Sequence, residues 1–290
     1  MKIGMIGMGF VGGTTARVLQ KAHEIFSYDR YKAPYNTKQS IEDLAINSEV
    51  VFVCVPTPMQ LSGEIDYEPM HNSLNLLSET ARNFGRQTKD ILVTVRSTAV
   101  SGTTDSFAEK YSFFKFAFNP EFLREKSALE DMTNTNRIVL GVEDRESEIK
   151  LRSVYKPIFP NAKVIVTNRK TAEMVKYAAN ATLAAQVMIA NDLYRICETI
   201  GVDYNSMIAI VQEDERIGRN MQVPGHDGQL GLGGKCFPKD IMALIHLARQ
   251  HGIGLHVLEE VWRSNLEVRE KNDWLEIPGA VSENKNFPAN

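Results

Sequence analysis

The sequence is sparing in the features that mark several protein classes. Its three cysteines, Cys54, Cys197 and Cys236, lie far apart, are odd in number and have no CxxC spacing, so neither a disulfide framework nor a zinc or redox knuckle is expected. Reduced thiols point to a cytoplasmic setting. No apolar run comes near the roughly 18 residues that a bilayer-spanning helix needs, and Met1 leads straight into a strand-like pattern rather than a secretory leader. An excess of one charge is missing too. The 33 Lys and Arg against 36 Asp and Glu leave a net charge of -3, which offers no basic field to nucleic acid or anionic lipid. The six histidines (23, 71, 226, 246, 251, 256) form no HxxxH set backed by carboxylates, so no metal is expected. Internal repeats and low-complexity tracts are lacking as well. What is present is 43% hydrophobic residues in a 290-residue chain, enough for two compact domains, with a small molecule as the expected partner.

Up to about residue 168, short β-branched runs alternate with helical segments: "KIGMIG", "EIFSYD", "VVFVCVP", "DILVTV", "FKFAFNP", "NRIVLGV" and "AKVIVT". Continuous apolar runs of this length suit strands buried on both faces. With helices expected at 11–22, 67–84, 101–110 and 145–156, residues 1–168 read as a Rossmann-type, doubly wound α/β domain with a mainly parallel sheet. The pattern then changes. Residues 171–200 carry no Gly or Pro and repeat apolar side chains at Val175, Ala179, Leu183, Val187, Ala190, Leu193 and Cys197, which predicts one long helix ended by Gly201. Shorter helices at 204–212, 238–252 and 255–271 complete an all-helical second domain, 169–272. The Gly-rich segment 213–235 between them is too long for a plain connector. Residues 273–290, polar and aperiodic, are expected to be a loose tail.

"GMGFVG" sets Gly7, Gly9 and Gly12 in GxGxxG spacing after the first strand and at the start of a helix. The glycines allow a tight turn, close approach of backbone to a pyrophosphate, and tight helix-on-strand packing. Phe10 and Val11 belong to the same turn. Asp29, closing the second strand, would accept ribose hydroxyls and repel a 2′-phosphate, which favours NAD over NADP. Arg30 and Lys32 follow and could instead hold a phosphate. Two further strand ends carry hydroxyl-rich turns with Thr57, Ser97 and Thr98, at the carboxyl edge where open α/β sheets bind ligands. Taken alone, each is a turn with a helix cap. Cys54, inside a strand, reads as a small core residue.

"GLGGKCFPKD" places Cys236 just before a helix whose first turn holds Pro238 and Asp240. Unpaired backbone N–H groups and the helix dipole there favour a thiolate, with Lys235 and Lys239 close in sequence, so Cys236 is a nucleophile candidate. A capping turn with an incidental cysteine is the alternative. In "NPEFLREKSALED", Glu121 and Glu125 stand four apart, which on a helix puts both on one face as candidates for a general base. In "EMVKYAANA", Lys176 and Asn180 share the same spacing and could stabilise an oxyanion, or could line a solvated face.

Taken in order, "GMGFVG", "CVPTP", "RSTAVSGTT", "NPEFLRE", "EMVKYAANA", "DERIG" and "GGKCFPKD" resemble the UDP-glucose/GDP-mannose dehydrogenase family over residues 1–272. The resemblance implies NAD as cofactor and a nucleotide sugar as substrate, UDP-glucose first. The sugar 6-hydroxyl is oxidised twice to a carboxylate, through a cysteine thiohemiacetal and thioester. By the same resemblance Cys236 is the nucleophile, Lys176 and Asn180 hold the oxyanion, Asp240 and Thr98 assist through water, and Glu121 is the base of thioester hydrolysis. Glu125 would lie near the nicotinamide; Glu121, Phe122, Leu123, Arg124, Lys176, Asn180 and Gly233 would meet the substrate; Arg216 would reach the sugar site of a neighbouring subunit. The helix 171–200 would form the core of a homodimer. Three features differ from the family pattern: the sequence shows no strand runs of a third α/β domain after residue 272, as expected of a short enzyme, a fragment of a longer product or a shortened paralogue; the loop before Cys236 is longer and carries His226 and Asp227; and Lys126 stands where the family often has a small residue. A β-hydroxyacid-type dehydrogenase and a non-catalytic NAD-binding or assembly module remain the alternatives.

Overall fold

The computed structural model describes residues 1–87 and 90–282. The chain forms two compact units, Met1–Thr57 with Tyr67–Lys176, and Pro58–Asp66 with Tyr177–Asn290. In the first unit seven strands form one sheet: β1 (Lys2–Ile6), β2 (Glu24–Tyr28), β3 (Val50–Val53), β4 (Leu92–Val95), β5 (Lys115–Phe118), β6 (Arg137–Gly141) and β7 (Lys163–Thr167). Their order is β2-β1-β3-β4-β5-β6-β7. The chain moves outward from β1 to β2 and then restarts on the other side with β3. That reversal leaves a crevice at the carboxyl ends of β1 and β3, the usual ligand position of such sheets. All neighbouring strands are parallel except β5 and β6, which meet antiparallel through the single pair Phe118 and Gly141.

The continuous apolar runs have the cause expected of them. In β3 every residue is buried, Val51 and Val53 in the core on one face of the sheet and Val50 and Phe52 in the core on the other. The covering helices are α1 (Phe10–Leu19), α2 (Lys38–Asn47), α3 (Glu68–Asn83), α4 (Thr103–Lys110), α5 (Ala128–Thr133) and α6 (Arg145–Tyr155). Neither α2 nor α5 is anticipated from periodicity. The first turn of α2 is fixed by Thr37, whose hydroxyl accepts the Ser40 N–H, and only Ile41, Leu44 and Ala45 of the helix are buried.

One long helix, α7 (Arg169–Ile200), follows β7; its residues 169–176 belong to the first unit and the rest to the second. The second unit adds α8 (Tyr204–Val211), α9 (Phe237–Gln250) and α10 (His256–Val268). Two apolar clusters build it: Ala190 of α7 with Tyr204 and Ile208, and Ala184 and Met188 of α7 with Leu232, Ile241 and Ile245. The expected loose tail is only partly so placed. Residues 273–282 fold onto this unit: Trp274 is buried against Trp262 with ring centroids 5.3 Å apart. Met59 donates its N–H to the Ala280 carbonyl at 3.0 Å and accepts the Ser282 N–H at 2.8 Å. Residues 283–290 lie outside the described residues.

Candidate active site

In the first unit the glycine turn is built by contact as much as by conformation. Gly7 has φ +89°, and a Cβ there would fall 2.5 Å from the Cys54 carbonyl oxygen; a Cβ on Gly12 would fall 1.8 Å from the Gly7 carbonyl oxygen. Around Gly9, the cap residue of α1, a Cβ would meet nothing within 4 Å. The open space thus lies at the helix N-terminus, where N–H groups face outward, and it fits a dinucleotide pyrophosphate. Phe10 and Val11 open α1, both half-buried. Asp29 directs one carboxylate oxygen to the Met8 N–H at 2.7 Å and the other to the Tyr31 and Lys32 N–H groups, both at 2.9 Å. Burial raises its pKa, but these bonds and the Lys32 charge outweigh burial and hold the carboxyl below its ordinary range. Lys32 completes the turn by donating its ammonium to the Met8 carbonyl at 3.0 Å. The hydroxyl turns lace β3 to β4. Thr57 donates to the Thr98 carbonyl at 3.0 Å and Ser97 to the Val55 carbonyl at 2.7 Å.

The same unit holds an ion pair that neither spacing nor composition discloses. Glu121 and Lys176 meet at 2.8 Å with side chains only 7% and 6% exposed, and the second Glu121 oxygen accepts the Leu123 N–H at 2.6 Å. The Phe122 ring lies 5.9 Å from the Lys176 ammonium and 4.4 Å from the Arg137 guanidinium. Phe122 and Leu123 pack against the cores on opposite faces of the sheet. The expectation that Glu121 and Glu125 share one helix face is corrected here. Residues 121–124 are not helical; a 3-10 turn starts at Glu125, which is exposed. Arg124 is extended (ψ 134°), because its N–H and guanidinium are all drawn to Asp131, at 2.6 Å for the closest contact.

Two buried groups absent from the sequence reading support this arrangement. Glu173 accepts the N–H groups of Gly102 (2.6 Å) and Thr104 (2.7 Å) and the Thr104 hydroxyl, capping α4 from one helical turn before Lys176. Burial pushes its carboxyl above the ordinary range in spite of these donors. Asn119, just before Pro120 and Glu121, accepts from both Arg96 and Tyr155 and donates to the Val139 carbonyl at 2.8 Å. The spacing of Glu173 and Lys176 on one helix was the available signal. For Asn119 there was none beyond its strand end.

In the second unit Cys236 caps α9 and is half-buried, its carbonyl accepting the Asp240 N–H at 2.9 Å. Asp240 is buried and accepts the Asn180 amide at 2.5 Å and the Lys239 ammonium. Two expected site residues thus touch, while Lys239 turns its charge onto Asp240. The loop before Cys236 is held by side chains: Gly231 donates to Asn191 (2.9 Å), Leu232 to Asn265 (2.5 Å) and Gly234 to Asp273 (2.9 Å). Among the described residues none accepts from the Gly233 N–H. Asp227 pairs with the buried Arg269. Arg216 is 88% exposed and paired with Asp214 at 2.6 Å. Cys54 is buried, and burial drives its thiol up to about 12. Among the described residues no group of His, Cys, Asp and Glu could hold a metal ion, and no helix is long and apolar enough to cross a membrane.

The sheet order and the glycine cradle define a dinucleotide-binding α/β protein with a helical second unit. Comparison gives the family. Residues 23–159 match the NAD binding domain of the UDP-glucose/GDP-mannose dehydrogenase family, and residues 170–267 match its central domain. The UDP-glucose 6-dehydrogenase of Rickettsia prowazekii is 38% identical over 225 residues, 76% of this chain and 49% of that protein. The UDP-glucose 6-dehydrogenase AglM of Haloferax volcanii is 30% identical, with 89% and 68% covered. Among solved structures, a UDP-glucose dehydrogenase from the hyperthermophilic archaeon Pyrobaculum islandicum superposes with a TM-score of 0.77 at 30% identity, with 92% and 68% covered. The chain belongs to the UDP-glucose/GDP-mannose dehydrogenase family and carries its NAD binding domain. It spans about half the length of several curated relatives that it matches.

Proposed function

We propose that the protein is an NAD-dependent nucleotide-sugar 6-dehydrogenase that oxidises UDP-glucose or a related sugar nucleotide to the uronic acid. The observation that carries this reading is the second unit's arrangement of Cys236 at the start of α9 with buried, hydrogen-bonded Asp240 and Asn180 directly behind it. A simple hydroxyacid oxidation has no use for such a thiol. Bound NAD would accept one hydride in each of two oxidations.

Cys236, as thiolate, adds to the carbon of the aldehyde formed first; a C–S bond forms and the carbonyl electrons move to oxygen. Lys176 and Asn180 stabilise that oxyanion, and Asp240 and Thr98 assist through water. Loss of hydride from the same carbon leaves a thioester. Glu121 takes one proton from the water that attacks it, the C–S bond breaks with its electron pair leaving on the Cys236 sulfur, and the carboxylic acid so formed gives its remaining proton to solvent. The Glu121–Lys176 pair supports this division of roles, since the carboxylate has its counter-ion in the resting protein. Glu125 lies toward the nicotinamide in this account, and Phe122, Leu123, Arg124 and the Gly233 N–H toward the substrate. Asp29 would accept the ribose hydroxyls of NAD, the oxygen that takes the Met8 N–H keeping a second lone pair for them.

A homodimer through α7 belongs to the same proposal. Ile189, Ile196 and Ile200, spaced to share one stripe of that helix, are 50–63% exposed, a face suited to a second copy, and exposed Arg216 would serve the partner's sugar site. The three free cysteines suit a cytoplasmic location. Cys236→Ser tests the chemistry. With NAD and UDP-glucose it should stop after the first oxidation or after aldehyde capture and release no uronic acid; full uronic acid formation by this variant excludes the thioester route.

A further inference from the structure

We propose that Arg269 is a positioning residue for Cys236, fixing through Asp227 and Asp273 the glycine loop that carries the thiol. The proposal rests on the reading of Cys236 as the nucleophile, but its structural core is independent of turnover. The helix α10 stops at Val268 because Arg269 leaves it in an extended conformation (φ -89°, ψ 127°). Its side chain is only 1% exposed. Every arm of the guanidinium is used: Nε donates to the Lys271 carbonyl at 2.9 Å, Nη1 to the Leu230 carbonyl at 3.2 Å, and Nη2 to Asp227 and, at 2.9 Å, to Asp273.

Those partners lead to the cysteine. Asp273 uses its other oxygen to accept the Gly234 N–H at 2.9 Å, two residues before Cys236. One helical turn before Arg269, fully buried Asn265 takes the Leu232 N–H at 2.5 Å and donates to the Leu232 carbonyl at 3.3 Å. A Cβ on Gly233 would fall 1.9 Å from Nη2 of Arg269, so the guanidinium lies flush against the backbone there. The loop has no regular secondary structure of its own, and its N–H groups find acceptors on side chains instead. Without the cation, Asp227 and Asp273 would face each other as like charges and Gly234 would lose a fixed acceptor. A displacement of about 1 Å at a nucleophile can cost about 100-fold in rate.

The test uses Arg269→Gln, Arg269→Lys and the milder Asp227→Asn in the full chain, read by amide hydrogen exchange and by steady-state kinetics with NAD and UDP-glucose. Arg269→Gln should raise exchange at Leu232 and Gly234 by about ten-fold or more while the amides of α7 and α8 keep theirs. Its kcat should fall about 10–100-fold with KM changed by less than about three-fold. Asp227→Asn should show the same pattern at smaller amplitude, and Arg269→Lys should recover part of it. Unchanged exchange at Leu232 and Gly234, or equal loss of protection over all helices of the unit in both Arg269→Gln and Asp227→Asn, overturns the proposal. If the parent protein shows no turnover, the exchange result still decides the role of Arg269, and only the dehydrogenase reading fails.

Discussion

Replacing Lys176 by alanine tests the buried pair at the first unit's carboxyl edge. The substitution leaves Glu121, 7% exposed, with the Leu123 N–H as its remaining hydrogen-bond donor. Breaking one side of a buried ion pair typically costs about 3–5 kcal/mol, because an uncompensated charge stays in the interior. With a urea slope of about 2 kcal/mol per molar, the unfolding midpoint should drop by about 1.5–2.5 M. The double variant Glu121→Gln with Lys176→Met removes both charges and should recover most of that loss. Arg145→Ala, which breaks a pair whose arginine is 75% exposed, serves as a control and should cost less than about 1 kcal/mol. Far-UV circular dichroism follows the unfolding, with tryptophan fluorescence in parallel, since both tryptophans, Trp262 and Trp274, belong to the second unit. The reasoning is refuted if Lys176→Ala moves the midpoint no further than Arg145→Ala, or if the double variant is worse than the single one.

Other tests address separate parts of the account. Gly9→Ala adds a methyl group to open space at φ -70°, so the melting temperature should stay within about 2 °C while NAD affinity, measured by calorimetry, falls at least about ten-fold; unchanged affinity contradicts the pyrophosphate position. Iodoacetamide at pH 8 should label Cys236 and spare Cys54, whose buried thiol is raised to about 12, and buried Cys197; peptide mass spectrometry would expose the opposite order. Glu173→Gln should destabilise the first unit by about 1–3 kcal/mol, since an amide NH2 would face N–H donors. Glu173 has a raised pKa in the folded state, so its contribution is complete below the unfolded value of about 4.3 and declines as pH rises through the raised value. The deficit of Glu173→Gln should therefore be larger at pH 4.5 than at pH 8, and a deficit that grows with pH contradicts the burial argument.

Much of the sheet was legible in the sequence because strands buried on both faces must be apolar throughout, as β3 and β4 are. Strand direction carries no such mark, and the reversal of β6 against β5 is invisible to periodicity. Periodicity does not mark α2, because its buried side is narrow and its helix start depends on one threonine cap. Glu121 and Glu125 do not share a helix face, for a physical reason. Spacing argues for a shared face only if the segment is helical, and here Glu121 is pulled toward Lys176 and its own Leu123 N–H while Arg124 is held extended by Asp131. The polar composition of the tail suggests a loose segment, yet the buried Trp274, packed against Trp262, docks its described part. Arg269 was not legible at all as a partner of Asp227, 42 residues earlier, because nothing local links a helix end to a glycine loop.

The central claim is a four-electron oxidation through Cys236, and its most direct measurement is the yield of NADH at 340 nm against sugar consumed. With excess NAD and limiting UDP-glucose, or the related sugar nucleotide that proves to be the substrate, the account requires two NADH per sugar and the uronic acid as product. One NADH per sugar with a released aldehyde or ketone contradicts the thioester route; no NADH with any nucleotide sugar, despite measurable NAD binding, contradicts the proposed activity itself.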